Sequence, residues 1–208
     1  MSAIVRPHVA ISQRVDVVPD RSEQRDALDQ NLVELAWQIG LMPCLVPNAL
    51  GAISGATDAW LAALKPRGFI LSGGNDLGDF PERDSTETVL LEYAKTQRLP
   101  LLGICRGMQM LAVWAGAALR PVEGHVRTRH QLRVVDPAGG WPAQVNSFHN
   151  LALCDCPPGF SVTAYAENGD IEAIRHHELP WEAWMWHPER EPQFAAEDIQ
   201  RIRTLFDA

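Results

Sequence analysis

A strand, a sharp turn and a helix are predicted from one stretch of this 208-residue chain, residues 99–111. Apolar residues before Gly103 predict a buried strand, and apolar residues at helical spacing from Met108 predict a helix. Between them lies Gly103-Ile104-Cys105-Arg106-Gly107, whose Gly-x-Cys-x-Gly spacing is typical of a nucleophile elbow. Glycine is needed on both sides because a Cβ there would collide with the neighbouring strand or helix. The turn would place the Cys105 thiol at a helix N-terminus, which favours the reactive thiolate; a buried structural cysteine is the alternative.

Strands and helices alternate through the first 120 residues. The predicted strands are His8–Ser12, Met42–Val46, Phe69–Leu71 and the elbow strand, and the predicted helices lie around residues 28–39, 57–65, 86–98 and 108 onward. This alternation is typical of a parallel sheet with helices on both faces. We therefore predict an α/β fold, a three-layer α/β/α sandwich with a mainly parallel central sheet.

The second half of the chain has a different pattern. Short alternating runs separated by turn clusters predict antiparallel strands, including a hairpin of residues 160–165 and 171–174. Trp184–Trp186 is predicted as a last central strand, and residues 197–206 as a closing helix. We expect a small antiparallel extension of the main sheet, and residues 1–208 to form one domain.

Composition excludes several classes of partner. The net charge is -8 and the estimated pI about 5.3, so neither nucleic acid nor an anionic membrane is expected as a general partner. No apolar run approaches the length of a membrane span, and residues 1–10 lack a signal-peptide core, so we expect a cytoplasmic protein. The pair Cys154-Asp155-Cys156 is too closely spaced for a common zinc site; we expect no metal and no cofactor.

A thiol nucleophile needs a base, and the base needs a group that orients it. His187 and Glu189 are two residues apart, so their side chains can lie on the same side of an extended segment. We predict a triad of Cys105, His187 and Glu189; a surface histidine beside a turn is the alternative. The backbone N–H groups of Arg106, and of Gly74 in the loop at residues 72–76, are the predicted oxyanion donors.

These motifs together resemble the class I glutamine amidotransferases. The resemblance rests on Gly103–Gln109, Ser72–Asp76, Asn146–His149 and Trp186–Glu189, and it is closest to the free-standing γ-glutamyl hydrolase branch. It implies that Cys105 attacks a γ-glutamyl amide to form a thioester, while His187 protonates the leaving nitrogen and then activates water. The residues that it implies for binding the glutamyl group are Gly73, Gln109, Ser147, Phe148, His149 and Asn150.

The leaving group is less clearly indicated. A compact loop at residues 73–84, with segments 24–30 and 124–130, is most similar to the γ-glutamyl-CDP-amidate hydrolases, which serve phosphoramidate decoration of capsular polysaccharides. Basic residues in an acidic protein suit phosphate oxygens, although a solvated surface loop is the alternative. The predicted cationic cluster comprises His125, Arg127, Arg129, His130 and Arg133, with Arg14 and Arg25 as further members.

Three other functions remain open. A γ-glutamyl-GABA or polyamine conjugate is a second substrate class for the same chemistry. A glutaminase subunit would instead pass ammonia to a synthetase partner, and a binding or redox-sensing protein would use Cys105 without His187. The first hypothesis predicts a small-molecule γ-glutamyl substrate, with a cytidine nucleotide conjugate as its first candidate, and no obligate synthetase partner.

Overall fold

A computed structural model describes residues 6–135 and 139–207. The predicted turn at residues 136–140 and the amino-terminal segment therefore lie partly outside the described residues. The strands are β1 His8–Ile11, β2 Arg14–Val18, β3 Glu23–Ala27, β4 Met42–Leu45, β5 Gly68–Leu71, β6 Leu101–Ile104, β7 Leu119–Pro121, β8 Val126–Gln131, β9 Arg133–Val134, β10 Gln144–Phe148, β11 Leu151–Leu153, β12 Phe160–Tyr165, β13 Ile171–His176 and β14 Trp181–Trp184. The helices are α1 Gln30–Gln38, α2 Ala56–Leu64, α3 Pro81–Gln97, α4 Arg106–Trp114 and α5 Ala196–Phe206.

One eight-stranded sheet organises these elements, in the order β4-β1-β5-β6-β14-β13-β12-β9. The first five strands of that order pair in parallel, and β14, β13, β12 and β9 pair antiparallel. The predicted α/β fold with a mainly parallel sheet and an antiparallel extension is thereby confirmed. Every residue of β5, β6 and β14 is buried, as expected for central strands covered on both faces.

Helices cover both faces of the sheet. Apolar residues of α1 and α5, such as Leu32, Leu35 and Ile202, pack with Val9 and Ile11 of β1 on one face. On the other face α2, α3 and α4 bury a second core against β5 and β6. Because β5, β6 and β14 are parallel, their carboxyl ends meet at one edge of the sheet, where open α/β folds bind ligands.

Three two-stranded ribbons lie near this edge, and they were not predicted from the sequence. They pair β2 with β3, β8 with β10 and β7 with β11. Their strands are short and largely polar on the exposed side, so sequence periodicity offers little signal for them. They carry most of the predicted substrate-binding residues.

Two predicted boundaries differ from the structure. Helix α3 begins at Pro81 rather than at Thr86, because proline fits the first turn of a helix, where its missing N–H costs nothing. The last central strand is Trp181–Trp184 rather than Trp184–Trp186. Residues 185–187 are buried as well, but their backbone leaves the strand ladder on the way to His187. In the part of the chain that is described, no helix is both long and apolar enough to cross a membrane.

Candidate active site

The turn between β6 and α4 holds Cys105 in a strained conformation. Its φ of 50° and ψ of -105° lie in a region that residues with a Cβ rarely adopt. Its N–H donates to the carbonyl of Trp184 at 2.7 Å, which ties the turn to β14. A Cβ at Gly103 would stand 2.9 Å from the Gly107 backbone, and one at Gly107 would collide with the Leu71 carbonyl. Both glycines are therefore required by the close approach of α4 to the sheet.

His187 follows β14 and faces this turn. Its Nδ1 lies 2.7 Å from Oε1 of Glu189, so the carboxylate determines the orientation of the ring. Asn146 of β10 fixes the backbone of the same residue, since it accepts from the His187 N–H at 3.0 Å and donates to the His187 carbonyl at 2.7 Å. The ring of Phe148 packs edge-on against the imidazole.

Electrostatics favour the charged form of His187. Burial opposes that charge. The negative charge of Cys105 and the proximity of its sulfur favour the charge, and Glu189 contributes further. Together they outweigh burial and raise the pKa of His187 to about 9. A thiolate and an imidazolium paired in a site closed to bulk water are the reactive form of a cysteine nucleophile.

The loop after β5 packs directly against this imidazole. A Cβ on Gly73 would lie 2.6 Å from Cε1 of His187, and Gly74 has a φ of +88°, a conformation natural to glycine. The buried guanidinium of Arg83 donates to the carbonyls of Ser72, Gly73 and Gly74 at 2.9, 3.1 and 2.6 Å. Because a trans peptide directs its N–H opposite to its carbonyl, the N–H of Gly74 points away from Arg83.

A buried ionic network stands behind the loop. Arg83 contacts Glu87 at 3.2 Å, and Arg106 contacts both Glu87 and Asp84. Burial lowers the pKa of Arg83 to about 10. Burial and the nearby charge of Arg83 lower the pKa of Arg106 to about 9. Both side chains therefore stay charged at neutral pH. The Arg106 side chain therefore belongs to the interior, and only its backbone N–H, at the first position of α4, is available as a donor.

The residues predicted to bind the glutamyl group lie on α4 and around β10. Gln109 is buried and donates to the Leu151 carbonyl at 3.0 Å. Ser147 donates to the His125 carbonyl at 2.7 Å, whereas Asn150 is exposed. His149 turns away, with Nδ1 3.0 Å from the Leu151 carbonyl and Nε2 3.2 Å from Nδ1 of His125.

The predicted cationic cluster does not form. His125 is buried, and burial, followed by the neighbouring histidines, lowers its pKa, so it is not a surface cation. Arg129 is paired with Glu191 at 3.1 Å, and Arg133 lies over the ring of Tyr165. Arg127 is exposed. Within β8 (Val126–Gln131), His130 also lies on the opposite face from Arg129, because successive residues of a strand point to opposite faces.

Among the arginines predicted to bind the leaving group, Arg14 reaches the site, and Arg190, which was not predicted, lines the same small cavity. Arg14 lines this cavity together with Gly73, Gly74, His187 and Glu189, and its side chain packs on Gly74. Its Nε also contacts Asp16 at 2.8 Å. Arg25, on the partner strand, contacts Glu23 at 2.8 Å and lies farther out on the same ribbon.

The side chain of Asn75 connects the β2–β3 ribbon to the loop after β5. It accepts from the Val15 N–H at 2.7 Å and donates to the Val15 carbonyl at 3.0 Å. The residue beside Val15 is Arg14, so this pair of hydrogen bonds sets the position of the ribbon that carries the guanidinium.

Sequence reasoning missed three residues of this arrangement. Arg83 and Glu87 have the i, i+4 spacing of an exposed helical ion pair, and nothing in the pattern separates that case from a buried one. Asn146 lies in a segment that carries the family resemblance, but its contact with the His187 backbone depends on the β8–β10 ribbon.

The fold and the site define a class of protein, and comparison with known families agrees. Residues 22–202 match the model of the glutamine amidotransferase class-I family, and the chain belongs to that family. The γ-glutamyl-CDP-amidate hydrolase of Campylobacter jejuni is 34% identical over 143 residues, which are 66% of this chain and 68% of that protein. The glutamine-hydrolysing GMP synthase subunit of Thermococcus kodakarensis is 29% identical over 134 residues, 62% of this chain and 69% of that protein.

A solved structure has the same fold. It is a candidate GMP synthase subunit from Thermoplasma acidophilum, which superposes with a TM-score of 0.74 over 98% of this chain and 94% of its own. Its identity to this chain is 19%, so the likeness concerns the fold alone.

Proposed function

We propose that this protein hydrolyses a γ-glutamyl amide through a Cys105–His187–Glu189 triad, with γ-glutamyl-CDP-amidate as the substrate. The observation that carries the proposal is a cysteine held at φ 50° at the start of a helix and close enough to His187 to raise the pKa of that imidazole, which is itself hydrogen-bonded to Glu189 at 2.7 Å. This constellation is that of an activated nucleophile with its base and orienting group.

The proposed reaction uses this geometry. The Cys105 thiolate attacks the γ-glutamyl carbonyl, and the oxyanion accepts from the N–H groups of Gly74 and Arg106. His187 gives its proton to the leaving nitrogen as the C–N bond breaks, which leaves a glutamyl thioester. The neutral imidazole then takes a proton from water as the water attacks, and glutamate and the thiolate are released.

Two observations favour a phosphate-bearing leaving group. Arg14 lies beside Gly74 in the cavity that His187 also lines, so a leaving group that departs along the β2–β3 ribbon meets a guanidinium, which binds phosphate oxygens well. The similarity to a γ-glutamyl-CDP-amidate hydrolase agrees with this chemistry. The products would be L-glutamate and cytidine diphosphoramidate.

The test measures glutamate release from three substrates: γ-glutamyl-CDP-amidate, γ-glutamyl-GABA and glutamine. We expect the highest kcat/KM for the first. Arg14→Gln should lower kcat/KM for that substrate by about 10-fold or more, the scale of one lost charge-assisted hydrogen bond, and leave the GABA conjugate within about 3-fold. Arg21→Gln, an exposed arginine between the same two strands, is the matched control.

Acid-quenched mass spectrometry checks the covalent step. A glutamyl adduct on a peptide containing Cys105 is expected, and Cys105→Ser and His187→Asn should each lower kcat by about 10² to 10⁴-fold, the contribution typical of such groups. Equal turnover of the GABA conjugate would reject the nucleotide substrate. Full activity of His187→Asn would reject the triad itself.

The similarity to subunits of GMP synthase favours a second candidate, a glutaminase that supplies ammonia to a synthetase. That function predicts glutamine as the best substrate and weak activity without a partner. Strong hydrolysis of γ-glutamyl-CDP-amidate by the isolated chain, with slow hydrolysis of glutamine, would exclude it.

A further inference from the structure

Four potential metal ligands meet in the interior, apart from the three groups of the proposed triad. They are His125, His130, His149 and Glu172, and each offers one ligand atom within 4.8 Å of every other. They come from the residue before β8, from β8 itself, from the turn after β10, and from β13. Residues so far apart in the sequence meet only in the folded chain.

Glu172 is the unusual member of this group. Its side chain is fully buried, and within residues 6–135 and 139–207 neither carboxylate oxygen has a hydrogen-bond partner. Its Oε1 lies 3.7 Å from Nε2 of His149 and 3.8 Å from Nδ1 of His125. An unpaired buried carboxylate costs several kcal/mol, so a positive charge is expected between these groups.

The outer hydrogen bonds determine which ring nitrogens carry hydrogens. Nδ1 of His149 lies 3.0 Å from the Leu151 carbonyl, which only accepts, so Nδ1 is the donor and Nε2 is bare. Nε2 of His125 lies 2.9 Å from Oδ2 of Asp170, so it donates and Nδ1 is bare. The Asn168 amide nitrogen is 3.0 Å from the same Nε2 and donates to Oδ2 of Asp170 at 2.8 Å, but an Nε2 without hydrogen would leave two acceptors, Nε2 and Oδ2, in contact.

Two bare nitrogens therefore face each other. Nδ1 of His125 and Nε2 of His149 are 3.2 Å apart, and the Glu172 carboxylate lies beside both. Lone pairs at this distance repel unless a proton or a metal ion lies between them. A carboxylate or a carbonyl bound to the far nitrogen of each ring is the usual support for a metal-binding histidine.

The spacing fits a tetrahedral ion. Metal–ligand bonds of about 2.0–2.1 Å place the ligand atoms roughly 3.3 Å apart, and the three closest atoms are separated by 3.2, 3.7 and 3.8 Å. The His130 ring packs against that of His125, and its Nε2 is buried with no partner among the described residues. Imidazole with one carboxylate is a ligand set that suits zinc.

We propose that His125, His130, His149 and Glu172 bind one Zn²⁺ ion as a structural site. Four protein ligands leave no position for substrate, so the ion stabilises rather than reacts. It would hold the turn after β10 in place, because the Leu151 carbonyl that accepts from His149 also accepts from Gln109 of α4. The Cys154 and Cys156 pair is not part of this set, and the inference does not depend on the proposed function.

Metal content measured on the purified full chain tests the proposal. Protein purified without chelator and dialysed against metal-free buffer should retain about one zinc per chain by mass spectrometry of the elements. The chelator-treated chain, refilled with Co²⁺, should show the visible absorption of a tetrahedral cobalt site. Asp170→Asn, which changes only an outer partner, should weaken Zn²⁺ affinity by about 10- to 100-fold.

Matched variants locate the ion. Glu172→Gln and His130→Gln should each abolish stoichiometric binding, while His177→Gln, whose ring contacts Ser161 instead, and Cys154→Ser should retain it. A folded wild-type chain that takes up no zinc under saturating Zn²⁺ would overturn the proposal. Zinc retained in a folded His130→Gln or Glu172→Gln chain, or lost in Cys154→Ser, would overturn it as well.

Discussion

Replacement of Gly73 by alanine tests how closely the loop after β5 is packed against the imidazole. The added Cβ would stand 2.6 Å from Cε1, 3.4 Å from Nδ1 and 3.5 Å from Nε2 of His187. Carbon atoms in contact are separated by roughly 3.5–4.0 Å, so the ring or the loop must move by about 1 Å. Glu189 and Asn146 hold the histidine, and Arg83 holds the Gly73 carbonyl.

Such a displacement carries a predictable cost in rate. A misplacement of about 1 Å lowers the rate of a positioned reaction roughly 100-fold, which corresponds to about 2.7 kcal/mol of activation free energy. We expect Gly73→Ala to lose about that factor in kcat for γ-glutamyl amide hydrolysis, and to alkylate more slowly at Cys105 with iodoacetamide. Its free energy of unfolding, measured in urea, should fall by much less than its activation free energy rises.

Gly55→Ala is the control for this experiment. Gly55 has a φ of +73°, and a Cβ added there would have no atom within 4 Å, so alanine costs about 1 kcal/mol of stability through backbone strain. It should keep kcat within about 2-fold. If Gly73→Ala also kept wild-type kcat, the imidazole would not be confined by the loop, and the assignment of Gly74 as an oxyanion donor would lose its basis.

Three further predictions concern charged groups. Burial opposes the charge of His187, but the negative charge of Cys105 outweighs burial and raises the pKa of His187 to about 9. The imidazole signals of His187, followed by NMR, should therefore titrate near pH 9; a transition near pH 6.5 would contradict this. Burial raises the pKa of Asp198 from 3.8 to about 7, so its stabilising effect is complete below about pH 4 and lost as the pH rises to about 7. The free energy of unfolding in urea of Asp198→Asn, relative to that of wild type, should therefore rise by about 2 kcal/mol from pH 5 to pH 8. The same difference between variant and wild type at both pH values would refute the assignment. Arg83→Met removes the donor to three loop carbonyls and should cost about 3–5 kcal/mol of stability as well as kcat, whereas a midpoint in urea equal to that of wild type would show that the network is dispensable.

The strand–turn–helix around Cys105 was predictable because its geometry leaves few alternatives. Two glycines at fixed offsets from a cysteine are needed where a helix packs closely on a sheet, and the contacts at Gly103 and Gly107 have this cause. Strand–helix alternation likewise indicated the parallel half of the sheet. Local pattern is sufficient in both cases, because the glycine spacing and the strand–helix alternation are visible in neighbouring residues, even though the carbonyl that Gly107 approaches belongs to Leu71.

The buried polar groups were not predictable in the same way. Arg83, Glu87 and Glu172 are charged residues that sequence analysis assigns to solvent, and all three lie in the interior. Residues of distant segments pair with Arg83 and Glu87. His125 was likewise expected among surface cations, because a polar side chain is assigned to solvent when only the sequence is known. Burial of a polar side chain is a property of the tertiary structure, and one sequence carries no local signal for it.

The place of β14 in the sheet has a consequence for biosynthesis. This strand lies between β6 and β13, yet the ribosome makes it about eighty residues after β6, as the register of Trp181 opposite Leu101 shows. Until then, β6 presents an open apolar edge that invites pairing with other chains, and Cys105 has no imidazole beside it. If Cys105 and His187 act together as proposed, a nascent or prematurely terminated chain would be inert as a hydrolase, and its open strand edge would make it prone to aggregation.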